Sequence, residues 1–295
     1  MIKAFRFGVV SAGNPSGTAW LAITQRIEQL GYNTLLMPDR TMTPFAVVTA
    51  LAVAATATKT LRVGSYVFAN DYRHPAILAR EIATLDQLSN GRVELGLGAG
   101  VGPTDFQQLG MPFDSAGTRV ARFEEAVSII KQFFTSSTVQ FTGKYYNLVD
   151  LISLPRPFQQ PHPPIMIAGS GRRILTIAAR EANIIALALR RNEQGIDPTE
   201  VPLSQKLDWI REAAGERFAS LEFAQSAFGI TLTDSPVASS PVLRGGPPVQ
   251  LQPMTIEQAV DHFLQQREDL GISYIQIQEG QIENFAPVLH RLSGK

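Results

Sequence analysis

Strand-like and helix-like stretches alternate along the whole chain, and no other feature narrows the fold as much. A short apolar run, "FRFGVV", precedes "SGTAWLAITQRIEQLGY". There Trp20, Ile23, Ile27 and Leu30 recur at helical spacing, and Gly31 is placed to end the helix. "NTLLM" reads as the second strand. "TPFAVVTALAVAATAT" reads as the second helix, with Thr43 as its cap and Pro44 at its first position. After the strand "LRVGSYVF" comes a helix that opens at Pro75, carries Ile77, Leu78, Ile82, Leu85 and Leu88, and stops at Asn90-Gly91. "VELGLG" and "TRVARFEEAVSIIKQFF" supply the fourth strand and the helix that follows it.

The second half continues the rhythm more loosely. "PIMIAG", "ANIIALAL", "LEFAQSAFGITL" and "SYIQIQ" read as strands five to eight. Helices are expected over Arg172–Glu181, Leu203–Ala214, Thr255–Leu270 and Asn284–Leu292. Eight such units in 295 residues average about 37 residues each, which suits a (β/α)8 TIM barrel. An open, doubly wound sheet shares the alternation and is the rival. The short, evenly spaced strands favour the closed form. Two stretches interrupt it. Residues 135–164 are long and proline-rich, an excursion after strand four. Residues 233–253 are rich in Pro, Gly and Ser without periodicity, as in a lid or a disordered loop before the last helix–strand unit. The expected organisation is one α/β barrel domain over residues 1–295.

Composition removes several classes of function. Formal net charge is zero and the 26 basic residues are scattered, so no stripe suits nucleic acid or an anionic membrane. No cysteine is present, which excludes disulfides, thiolate metal sites and cysteine nucleophiles. The four histidines, His74, His162, His262 and His290, lack ligand spacing, and no metal site is expected. With neither a secretory leader nor an apolar run long enough to span a bilayer, a cytoplasmic protein with a small-molecule substrate is the expectation.

In a barrel the C-terminal strand ends form the reactive face. The second strand ends there in Asp39-Arg40, two adjacent opposite charges. A surface salt bridge between them would be worth about 0–1 kcal/mol and would carry no function. At a barrel mouth they are candidate catalytic residues. The third strand brings Ser65, Tyr66 and Asn70. The fourth ends in "GLGAGVG", whose glycines miss the dinucleotide spacing because Val101 and Pro103 stand where the third glycine should be. Gly98 and Gly100 instead offer bare backbone to a planar ligand, or simply a tight turn. The fifth ends in "AGSGRR", where Gly169, Ser170 and Gly171 run into a helix start carrying Arg172. That pattern suits a phosphate, or an ordinary turn followed by two solvated arginines.

With those residues in place, the chain resembles the luciferase-like monooxygenase superfamily, the flavin- and deazaflavin-dependent barrel enzymes. The likeness is strongest over "RVGSYVFANDYRHPAILAREIATLDQLSNGRVELGLGAG". It continues through "FTGKYYNL", "PRPFQQPHPPIMIAGSG", "AAREANIIAL" and "LGISYIQI". The resemblance implies a barrel holding the deazaflavin coenzyme F-420, which is favoured, or FMN, in a homodimer. It places the phosphate end on Gly169–Arg172 and Gly98 and Gly100 along the ring. It also implies a non-proline cis peptide at Ser65-Tyr66.

Two departures qualify that resemblance. Relatives often have His where this chain has Arg40, and sugar-phosphate-oxidising relatives have Glu where it has Val101. A guanidinium cannot accept a proton at working pH, so the usual acid–base pair for alcohol oxidation is missing. Arg40 can hold negative charge, with Asp39 orienting it or touching the ring. The expectation is hydride transfer to an activated double bond or imine, or flavin-assisted oxygenation. A catalytically degenerate homologue with a carrier or structural role is the alternative, and a nicotinamide dehydrogenase on an open sheet a third reading.

Overall fold

The computed structural model describes residues 3–100, 102–192, 195–234, 241–242, 249–250 and 252–295. Eight strands carry the fold among them: β1 (Arg6–Val10), β2 (Thr34–Met37), β3 (Arg62–Ser65), β4 (Val93–Gly98), β5 (Ile165–Gly169), β6 (Ile184–Leu187), β7 (Glu222–Ser226) and β8 (Ile272–Gln278). The helices are α1 (Gly17–Gln29), α2 (Val47–Ala57), α3 (Pro75–Leu88), α4 (Pro103–Gln108) and α5 (Ala116–Thr135). They continue with α6 (Arg172–Glu181), α7 (Leu203–Ala214), α8 (Ile256–Leu270) and α9 (Ile282–Leu292). The fold is the (β/α)8 barrel that the alternation predicts.

Two compact units emerge from the internal contacts. In the first (residues 1–10, 26–34 and 168–295), β1 pairs in parallel with β8, from Arg6 against Tyr274 to Val10 against Gln278. Pairing of the first strand with the last closes a barrel and removes the open-sheet alternative. β7 lies between β8 and β6. In the second unit (residues 11–25 and 35–167), β3 pairs with β4 through Val63–Val93, and β4 with β5 through Leu95–Ile165. A short strand, Phe68–Ala69, follows β3 and lies against Leu97 and Gly98. β2 and β4 are buried along their whole length, the pattern of parallel strands covered on both faces.

Several boundaries differ from expectation. α2 begins at Val47, because the Thr43 hydroxyl donates to Arg40 O (2.8 Å) and closes the turn after β2 instead of capping a helix. On α3, Ile77 and Leu88 face water; the buried stripe runs through Leu78, Ile82 and Leu85. The seventh run breaks after Ser226, and Ile230–Leu232 pairs separately with Gln252–Met254. The excursion at 135–164 contains an antiparallel hairpin, Thr138–Thr142 with Asn147–Ile152. Most of 233–253 lies outside the described residues. Among those described, no helix is long and apolar enough to cross a membrane.

Candidate active site

Asp39 and Arg40 leave the end of β2 and do not pair with each other. Asp39, almost fully buried, accepts from Arg73 Nη1 at 2.8 Å and Nη2 at 3.0 Å, and from the Ala69 backbone N–H at 3.0 Å. Arg73 also stacks over the Phe68 ring, 4.9 Å from its centroid. Arg40 donates instead through Nε to Asp105 Oδ2 at 2.5 Å. Asp105 is itself buried, and its other oxygen accepts from Thr41 N (3.1 Å) and Thr41 Oγ1 (2.6 Å). The expectation that Asp39 orients Arg40 is therefore corrected: Asp105 does so. Successive side chains leaving a strand point to opposite sides, which sends these two charges to different partners.

The electrostatics follow from those bonds. Burial pushes the Asp105 carboxyl up, but the hydrogen bonds from Thr41 and the charge of Arg40 outweigh it and hold Asp105 below the ordinary carboxylate value. Tyr72 lies within electrostatic reach of the same four charges. Burial first, then the Asp105 and Asp39 carboxylates, push its phenol up to about 12 against the pull of Arg40 and Arg73. Its ring meets Phe106 edge-on at 5.3 Å. The cluster thus contains two fixed cations, two committed carboxylates and a neutral phenol. Nothing local in the sequence marks Tyr72, Arg73 or Asp105 as part of this cluster.

Asp39 also ties in the residues expected to line the ring. The Ala69 N–H that it accepts belongs to the strand paired with Gly98, and Asn70 is next in the chain. Asn70 Nδ2 bonds to Asp71 Oδ1 (3.0 Å) and Tyr146 Oη (3.3 Å), and Asp71 is held by Arg122 at 2.8 Å. Gly100 has φ +83°, and a Cβ there would lie 3.1 Å from the Phe106 ring, so the glycine is required by the turn itself. Ser65 is different. Its hydroxyl donates to Gly96 O (2.8 Å) and accepts from Gly96 N (3.1 Å) inside the sheet, leaving no face for a ligand. The non-proline cis peptide falls at Tyr66-Val67, one bond beyond the expected Ser65-Tyr66. Tyr66 is half-buried there. Val101 lies outside the described residues.

In the other unit, Gly169–Arg172 joins β5 to α6 as expected. Gly169 leaves room for Ile174, and its carbonyl accepts from Ala188 N at 3.1 Å. Gly171 is the N-cap of α6, no side chain caps that end, and Ser170 is half-buried beside it. A second guanidinium joins the expected one here. Arg172 is exposed and reaches Glu212 at 3.1 Å, whereas Arg190 Nη2 lies 3.9 Å from where a Gly171 Cβ would stand. Arg190 is held by Thr199 Oγ1 on Nη1 (3.1 Å). The backbone N–H groups of a helix start, a missing Cβ and a guanidinium form a donor set that fits the phosphate of F-420 or FMN. Arg190 could have been found by the criterion that found Arg40: "IIALALRR" is an apolar run ending in charge.

Comparison with known proteins identifies the family. The family model described as luciferase-like monooxygenase matches residues 3–238. The F-420-dependent glucose-6-phosphate dehydrogenase of Amycolatopsis mediterranei (strain U-32) is 34% identical over 164 residues, 52% of this chain and 48% of the relative. The FMNH(2)-dependent dimethylsulfone monooxygenase of Pseudomonas putida is 33% identical over 106 residues, 36% of this chain and 29% of the relative. The chain thus spans about half the length of the first relative and less of the second. Among solved structures, the coenzyme F-420-dependent tetrahydromethanopterin reductase of Methanopyrus kandleri superposes with a TM-score of 0.79 at 18% identity. That match covers 99% of this chain and all of the other.

Proposed function

This chain belongs to the luciferase-like monooxygenase family, and from that premise we propose that it is an oxidoreductase using coenzyme F-420, with FMN as the alternative, to reduce an activated double bond or imine of a small molecule. Bound in its reduced form, either coenzyme supplies a hydride. Gly171, Ser170 and Arg190 would hold its phosphate. Homodimerisation, which the family resemblance implies, belongs to the same proposal.

One observation supports reduction over alcohol oxidation: among the described residues, no group at the end of β2 is available as a base. Asp39 is filled by Arg73 and Ala69, Asp105 by Thr41 and Arg40, and a guanidinium offers no acceptor. His74 spends Nδ1 on the Ala76 N–H at the start of α3. The neutral Tyr72 phenol can instead donate a hydrogen bond, or a proton, to an oxygen or nitrogen that gains electrons.

The test begins with fluorescence titrations of apoprotein with oxidised F-420 and, separately, FMN. Turnover follows, with reduced coenzyme on conjugated enones and cyclic imines, and with oxidised coenzyme on secondary alcohols. Binding of F-420 with turnover of enones or imines is expected. Turnover of alcohols alone would sink the proposed direction, and binding without any turnover would favour a carrier role.

A further inference from the structure

We infer that Arg40 is an anion anchor and that the substrate carries a carboxylate or a comparable oxyanion beside its reducible bond. This names the substrate class of the reaction proposed above and rests on that reading for the chemistry, though not for the binding.

The inference comes from how Arg40 is held. A guanidinium and a carboxylate ordinarily meet fork to fork, through two N–H donors and both oxygens. Here that arrangement is blocked. Thr41 occupies Asp105 Oδ1 twice, with its backbone N–H and its hydroxyl, so only Oδ2 is left and only Nε reaches it. Nε carries one of the five N–H donors of arginine. The other four, on Nη1 and Nη2, make no hydrogen bond to any described residue, and 42% of the side chain is open to water. Asp105, by contrast, has only 3% of its side chain exposed. The planar fork is thus fixed at its inner edge by a buried anion and presents its outer edge, a parallel pair of N–H donors, at the C-terminal end of β2.

Neighbouring charges leave that edge available. Asp39 would be the natural competitor, being adjacent in sequence, but both its oxygens are bound by Arg73. Gln108 is drawn away by the Thr41 hydroxyl. Asp71 and Asp114 are tied to Arg122. Holding an arginine by one bond to a buried carboxylate orders it in advance, which lowers the entropy cost of gripping a ligand. Lysine could not replace it well: an ammonium offers no planar edge to match two oxygens.

Calorimetric titration of the full chain with crotonate and with the isosteric neutral crotonamide tests this without any coenzyme. Wild type is expected to bind the acid about tenfold or more tightly than the amide, as charge-assisted pairs do. Arg40→Ala should abolish the difference and Arg40→Lys restore part of it. Asp105→Asn, which frees the fork to move, should shrink it. No preference for the acid in wild type, whether both probes bind or neither does, would overturn the inference. An undiminished preference in Arg40→Ala would do the same. Titration of wild type and Arg40→Ala with F-420 and FMN reads the functional proposal separately. Failure of wild type to bind either coenzyme would sink that proposal and leave the acid–amide comparison standing. Loss of coenzyme binding in Arg40→Ala with the acid preference intact would assign the fork to the coenzyme and overturn the inference.

Discussion

The end of β2 and the turn after β5 are both C-terminal strand ends, yet they are built in opposite ways. At β2 the candidate groups are side chains, and each is set by a partner remote in sequence: Asp39 by Arg73, 34 residues on, and Arg40 by Asp105, 65 residues on. At Gly169–Arg172 the candidate donors belong to the backbone. The turn is local, it opens α6, and only Arg190 comes from elsewhere. A site made of long-range ion pairs is therefore fragile in stability. A site made of a helix start is fragile mainly in affinity.

The most severe test of that contrast is Asp39→Ala. It leaves Arg73 without its carboxylate and the Ala69 N–H without its acceptor. Urea denaturation should show a loss of about 2–3 kcal/mol, the low side of breaking a buried pair because Arg73 keeps a quarter of its side chain in water. A loss below about 0.5 kcal/mol, typical of an exposed pair, would break the comparison at its first term. At the turn, Arg190→Gln should leave the melting temperature nearly unchanged and weaken FMN binding about tenfold. Riboflavin, which lacks the phosphate, should bind both proteins alike. Equal weakening of both ligands would mean that Arg190 acts on the ring or on the fold.

How much of this was legible in the sequence divides along the same line. The bounds of α6 and α7 were, because amphipathic spacing and flanking turn residues are local information. So were the strand order and the Gly-Ser-Gly turn. The partners of Asp39 and Arg40 were not. Adjacent opposite charges invite a local pair, and only the fold brings Arg73 from the turn before α3 and Asp105 from α4. Ser65 was misread for a related reason: nothing in its neighbours shows that its hydroxyl is spent on Gly96 across the sheet. Gly100 was half read. The sequence suggested bare backbone for a ring, and the structure adds a positive φ packed on Phe106.

That second role of Gly100 gives a smaller effect. Gly100→Ala must adopt a left-handed conformation against the Phe106 ring and should cost about 1–2 kcal/mol by chemical denaturation. Gly171→Ala, at φ −91° with its nearest neighbour 3.9 Å away, should cost nothing in stability and reduce FMN affinity. Acid titration adds a further term. Asp105 has its folded-state value below its ordinary 3.8, so the stability it contributes is present above about 4 and is lost as pH falls through the folded-state value. Asp105→Asn should flatten the acid limb of a plot of melting temperature against pH. An unchanged limb would mean that Asp105 is not held as an anion by Thr41 and Arg40.

The smallest expected effect is the sharpest discriminator between the two arginines near the Gly-Ser-Gly turn. Arg172 follows Gly171 directly and was the residue the sequence put forward, yet its guanidinium lies on the solvent side of α6 with Glu212. More than 60% of each side chain in that pair is exposed. Such pairs contribute about 0–0.5 kcal/mol because water screens them and the long side chains lose freedom on pairing. Its charge also sits at the start of a helix, where the dipole disfavours a cation, and this offsets part of even that gain. Arg172→Gln should therefore change melting temperature by less than the spread between preparations and leave the affinities for FMN and riboflavin where they were. A tenfold loss for FMN alone would return the phosphate to Arg172, and with it the simpler rule that a site can be read from adjacent residues.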